Sequence, residues 1–134
     1  VPDRAEIGID IRTVPGERHA EVRDLLGTYL GDEVDLETVI DVEGVATDPG
    51  DPWIGAVTQI AGAHLGETVE PSGAPYFTDA AVLTPAYGHP PTVVLGPGEP
   101  SMAHQTDEYC RLDSLETAVA IYRDIAGAWT ANAG

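Results

Sequence analysis

The sequence predicts an α/β fold on three observations. Some segments alternate apolar and polar residues, others carry apolar residues at helical spacing, and runs of Gly, Pro and Asp separate them. In residues 5–14, AEIGIDIRTV, Ile7, Ile9 and Ile11 share one face while Gly8, Asp10 and Arg12 share the other. That is the pattern of a half-buried strand with Arg12 on its polar side. Pro15-Gly16 ends it. Val22, Leu25, Leu26, Tyr29 and Leu30 then recur as on one face of a helix, expected over 17–30 and stopped by Gly31. From Val34 to Val45 the residues Val34, Leu36, Thr38, Ile40 and Val42 share one parity, and acids occupy much of the other. A second strand is expected there, completing a β-α-β unit that ends near Thr47.

The run TDPGDP at 47–52 is turn chemistry throughout and marks the expected domain boundary. Asp51 as cap and Pro52 as first residue predict a helix over 52–65, with Ile54, Val57, Ile60, Ala61 and His64 on its better face. A short strand is expected near 67–70, then the loop from Pro71 to Phe77, and a helix from Ala80 to Ala86 capped by Thr78 or Asp79. Thr92 to Leu95, TVVL, reads as a short apolar strand running into Gly96-Pro97-Gly98. The last element, 114–131, is an amphipathic helix on which Leu115, Val119, Tyr122, Ile125, Ala126 and Trp129 recur periodically. Trp53 and Trp129 read as packing anchors.

The 134 residues suit one ordinary domain, able to bury about two-thirds of its unfolded surface. A hydrophobic fraction of 43% and a mean hydropathy of -0.08 fit a globular protein. No apolar run reaches the length of about 18 residues that a membrane span needs. The N-terminus has no basic region followed by an apolar stretch, so no signal peptide is read there. It opens without Met, almost inside a strand, as a fragment would.

The charge balance is extreme. Against 23 acidic residues stand six Arg and no Lys, for a formal charge of -17. Such a field repels phosphates, which excludes nucleic acid and anionic membrane surfaces as partners. The acids are dispersed, which suggests a halophilic surface; a high-GC mesophile is the alternative source. The single Cys110 makes neither an internal disulfide nor a multi-cysteine zinc site, and it reads as a small buried residue at the start of a helix in a reducing cytoplasm.

The chemistry concentrates after TVVL. The Gly-rich turn places the following residues at a strand's carboxyl end, and His104 stands there among Asp107 and Glu108. Its imidazole could be a zinc ligand with Asp107 or Glu108 as an orienting carboxylate, or an ordinary loop histidine. One histidine cannot hold a catalytic metal, which takes about three protein ligands. Arg12 could bind a carboxylate with its planar fork or pair with a nearby acid. Thr78 and Asp79 could serve a site or cap a helix. His19 on an exposed helical position, His64 towards a helix interior and His89 in a turn have weak functional claims.

Gly96-Pro97-Gly98, then AHQTDEY from Ala103, then a long terminal helix, resembles the last signature of the acetylornithine deacetylase and succinyl-diaminopimelate desuccinylase family. Aminoacylases and glutamate carboxypeptidases share that signature. Tyr76-Phe77-Thr78-Asp79-Ala80 is similar to the family's Gly-Gly-Thr-Asp-Ala loop, with an aromatic pair in place of the glycines. VPDRAEIGIDIRTVPGE is similar to the segment that re-enters the family's lid domain.

The resemblance implies a fragment of a two-domain zinc hydrolase. Residues 1–48 would be the β-α-β, C-terminal part of the lid or dimerisation domain, and 49–134 the C-terminal α/β segment of the catalytic domain. It implies His104 as a ligand of the second zinc, Arg12, Thr78 and Gly96 at the substrate, and Glu108 behind the metal ligand. It also implies two zinc ions in the intact enzyme, with cobalt able to substitute, a small N-acyl amino acid substrate, a cytoplasmic homodimer, and a general base upstream of this chain. No His-x-Asp pair and no adjacent Glu-Glu occurs in the sequence, so the isolated chain is expected to be inactive. The alternative is a non-catalytic dimerisation or binding module on the same scaffold.

The charge pattern carries its own test. Raising KCl from about 0.1 M to about 1 M shortens the Debye length from roughly 10 Å to roughly 3 Å. The midpoint of thermal unfolding should rise over that range; a midpoint indifferent to salt would count against the halophilic reading.

Overall fold

The computed structural model describes residues 3–132. Four α-helices form: α1, His19–Leu30; α2, Pro52–Leu65; α3, Ala80–Ala86; and α4, Leu112–Asn132. A single 3-10 turn, Pro100–Met102, precedes α4. All four helices lie within two residues of where periodicity and turn chemistry predict them.

The α/β expectation is wrong. Among the described residues no strand forms at 5–14, 34–45, 67–70 or 92–95, and the β-α-β unit is a helix between two unpaired extended segments. Alternation fixes which side chains share a face, but a strand also needs a neighbour to accept and donate its backbone hydrogen bonds. The first two segments do approach one another, since a Cβ on Gly44 would lie 3.6 Å from Pro15 Cγ. They exchange no ladder, and the apolar face that the pattern marks stays uncovered. Ile7 is 85% exposed and Val39 89%.

The expected burial also falls short. The chain leaves 10941 Å² accessible, where a compact monomer of 14.1 kDa would leave roughly 6,700 Å².

The core lies between α2 and α4. Asp51 caps α2 by accepting a hydrogen bond from the Trp53 N–H at 2.8 Å, and Pro52 fills the first position, where no N–H is needed. Ile54, Val57 and Ala61 point from α2 into Ala118 and Ile121 of α4, and all five are buried. Ala61 and Ala118 are small enough to let the two backbones come close. Trp53 and Trp129 meet edge to face with ring centroids 4.9 Å apart, as expected of packing anchors. His64 Nε2 lies 2.8 Å from Asp124 Oδ2 across the same helix pair, so His64 sits at the rim, hydrogen-bonded to a carboxylate, rather than in the interior.

On α4 the packed face follows the stripe of large residues only in part. Trp129 meets Trp53 of α2, while Leu115, Val119 and Tyr122 are exposed to 41% or more. The buried residues of α4 are Ala118 and Ile121, which the stripe does not include.

α1 buries none of its residues, and Tyr29 is 86% exposed. It is tied instead by polar contacts, described below. α3 carries the one buried polar residue among those described, Thr84. Neither Thr78 nor Asp79 caps α3 through its side chain, and the Asp79 backbone is already helical.

Hydroxyls take the place of a sheet neighbour around TVVL. Thr47 Oγ1 donates to Thr92 O at 2.7 Å and accepts from Thr92 N–H at 2.9 Å. Thr92 spends its hydroxyl proton on Pro90 O, so Thr84 donates to Thr92 Oγ1 at 3.1 Å. Tyr122 O–H then ties Leu95 O to α4. These contacts fix the segment that leads into Gly96-Pro97-Gly98.

α2 ends at Gly66, left-handed at φ 73, whose N–H bonds Gly62 O at 2.8 Å. The chain folds back so tightly that a Cβ on Gly62 would lie 2.6 Å from the Glu67 carbonyl oxygen. Ala is the better helix former by about 1 kcal/mol, but overpacking against backbone costs about 1–3 kcal/mol. Gly62→Ala should therefore destabilise the chain, lowering the urea midpoint, whereas a stabilised variant would show that the turn is free to move.

Candidate functional site

Arg12 lies on the first extended segment, exposed, with its guanidinium engaged twice. Nε and Nη2 donate to Asp10 Oδ2 at 3.3 and 3.0 Å, and Nη1 donates to Pro75 O at 3.1 Å. The pairing with a nearby acid is thus present, and so is a contact spanning 63 positions to the loop just before Thr78. Two sequence-predicted regions are brought together this way. Thr78 is half-buried and its carbonyl accepts from Ala81 N–H at 3.1 Å, opening α3. Tyr76 and Phe77 beside it are exposed.

Gly96 is exposed, and a Cβ there would meet nothing within 4 Å. Space does not demand glycine at this position. His104 is exposed and left-handed, φ 61, as is Asp107 at φ 61. The Glu108 carboxylate accepts from the His104 backbone N–H at 3.1 Å. It therefore binds the main chain of His104, where the sequence pointed to the ring. Cys110 is exposed, and its thiol points to Pro97 O at 3.6 Å across the base of this loop. The expectation of a buried cysteine fails because α4 starts two residues later, at Leu112.

Among the described residues no hydrogen bond or ion pair joins the Arg12–Pro75 contact to the His104–Glu108 loop. Nor is there a group of three or more His, Cys, Asp or Glu side chains placed to hold a metal ion. One imidazole does not make a zinc centre. Two shallow grooves of about 370 and 310 Å³ lie beside the end of α2 and the start of α1, and none of Arg12, Thr78, Gly96 or His104 lines either.

Sequence reasoning missed a polar cluster around His19, whose side chain is only 16% exposed. His19 Nδ1 lies 2.5 Å from Asp41 Oδ1, and Nε2 lies 2.9 Å from Thr13 Oγ1. An ionised carboxylate only accepts, so Nδ1 carries the proton. Arg23 pairs with the other Asp41 oxygen. The cluster joins both extended segments to α1. An acid at the same parity as many others gave no sign of this pairing.

The family model for "Peptidase family M20/M25/M40" matches residues 2–128. The chain belongs to the M20/M25/M40 peptidase family. Proteins from two strains of Staphylococcus epidermidis, each named "Probable succinyl-diaminopimelate desuccinylase", are similar to it. They are 31% and 30% identical over 134 aligned residues, which cover 96% of this chain and 33% of each relative. The chain thus spans about a third of the length of these curated relatives. No solved structure matches it significantly. The resemblance read from the three ordered motifs agrees with the M20/M25/M40 assignment, although Val1 and Pro2 of the first motif lie outside the described residues. No helix among the described residues is long and apolar enough to cross a membrane.

The hydrogen bond from His19 holds the Asp41 carboxyl below its ordinary value of 3.8, and the Arg23 charge adds to this. Asp124 is lowered likewise, first by His64 and then by Arg123. A depressed folded-state pKa contributes stability that is full above the unfolded value and is lost as pH falls from there through the lower folded value. Acidification from about pH 5 to about pH 2 should loosen both contacts. Asp41→Asn should remove the part of this acid sensitivity that reports on α1, measured by circular dichroism of the variant against the parent.

Proposed function

We propose that this chain is the C-terminal portion of a metal-dependent amidohydrolase that removes an acyl group from a small N-acyl amino acid. Succinyl-diaminopimelate and acetylornithine are the substrate types that the motif resemblance and the relatives' names suggest. The observation that carries the reading is the family match through residues 2–128. The contact of Arg12 with Pro75 supports its substrate end, because it sets a guanidinium fork against the loop that leads to Thr78. In this reading residues 1–48 belong to a lid or dimerisation domain and 49–134 to the catalytic domain.

Arg12 is proposed to bind the substrate carboxylate, exchanging its exposed pairing with Asp10 for a bidentate one. Thr78 and Gly96 would line the substrate, although Gly96 shows no close approach that requires glycine. His104 would serve as one ligand of a two-zinc centre, with cobalt able to replace zinc. The described residues do not by themselves fit that centre, so its other ligands and the general base are assigned to the remainder of the intact protein. On its own the chain would be inactive. We further propose a cytoplasmic homodimer, in line with the single exposed Cys110 and the uncovered apolar surface of the first 45 residues.

The test uses the intact protein with an N-acyl amino acid substrate. His104→Ala should abolish hydrolysis and lower bound zinc, and Arg12→Ala should raise KM by about ten- to a hundredfold with kcat little changed. A fully active His104→Ala enzyme would sink the assignment.

A further inference from the structure

We propose that Glu108 is a positioning residue for His104, acting through its backbone amide and not through its imidazole. His104 has φ 61, a left-handed conformation uncommon among L residues although less so for Asn, Asp and His. The loop around it is a succession of tight turns. Ala103 N–H bonds Pro100 O at 3.3 Å, Gln105 N–H bonds Met102 O at 3.1 Å, and Glu108 N–H bonds Gln105 O at 3.3 Å. In that series the His104 N–H is passed over. The Glu108 carboxylate receives it at 3.1 Å.

Glu108 therefore closes the loop twice, donating its own N–H to Gln105 O and accepting the His104 N–H with its side chain. Across the base, the Cys110 thiol reaches Pro97 O at 3.6 Å. The consequence for His104 is directional. Its φ sets where Cβ points, so a bond that holds the left-handed state also holds the direction from which the imidazole leaves the chain. A carboxylate suits the task because its bond to a backbone N–H is charge-assisted. Acting on the main chain, it leaves both ring nitrogens free of Glu108. The functional weight of this inference rests on reading His104 as a site residue; the structural relation does not.

The 134-residue chain labelled with 15N-histidine gives amide signals from only four histidines, and His104→Asn identifies the one at 104. Water-exchange NMR on Glu108→Ala should show the His104 amide exchanging about two- to tenfold faster, with His19, His64 and His89 unchanged. Glu108→Gln should restore the parent rate, since its side-chain oxygen can accept the same bond. An unchanged His104 rate in Glu108→Ala, a rise shared by all four histidines, or a Gln variant that behaves like Ala would overturn the proposal. The metal-ligand reading fails separately, through an active His104→Ala enzyme, and that failure would leave the amide result intact.

Discussion

The packing of α2 on α4 is the constraint on which the rest of the molecule depends. Ile54, Val57 and Ala61 meet Ala118 and Ile121, and together they are the buried apolar residues among those described. Burying each of the larger ones is worth roughly 1.5–3 kcal/mol. Among the described residues no other pair of helices makes a comparable contact. The segments around TVVL hang from this pair through polar links. Tyr122 on α4 holds Leu95, Thr47 just before α2 holds Thr92, and Thr92 receives Thr84 from α3. The loop that carries His104 inherits its position from those contacts.

The first 45 residues are held differently. Their apolar side chains are mostly exposed, and what fixes them is charge and hydrogen bonding. The His19 ring reaches Thr13 on one side and Asp41 on the other, and Arg23 completes the cluster. Ion pairs near the surface are individually weak, because water screens them. A region held mainly by such contacts belongs to the low-stability end of a protein, where local opening is easy.

The candidate site is divided too, along a different line. Arg12 and the loop before Thr78 form one part, bridged by a single guanidinium-to-carbonyl bond. His104 and Glu108 form the other, built from tight turns after the Gly-rich segment. Each part is locally ordered, and neither completes a metal centre or an enclosed pocket. The chain belongs to the M20/M25/M40 family and spans about a third of the length of its curated relatives.

Much of the secondary structure was legible in the residues alone. Asp51-Pro52 and Gly66 bracket α2 because caps and left-handed stops are local chemistry, and apolar spacing located α1 and α4 in the same way. The three ordered motifs were enough to point to the family. Three things were decided only by the tertiary structure. The alternating segments 5–14 and 34–45 did not become a sheet, because pairing depends on a neighbour that alternation cannot supply. On α4, Ala118 and Ile121 are buried while Leu115, Val119 and Tyr122 of the larger stripe are not, because which apolar side of a helix is covered depends on its neighbour. Glu108 binds the His104 amide and not its ring, because the direction of a side chain in a turn follows from φ, which spacing in sequence does not reveal.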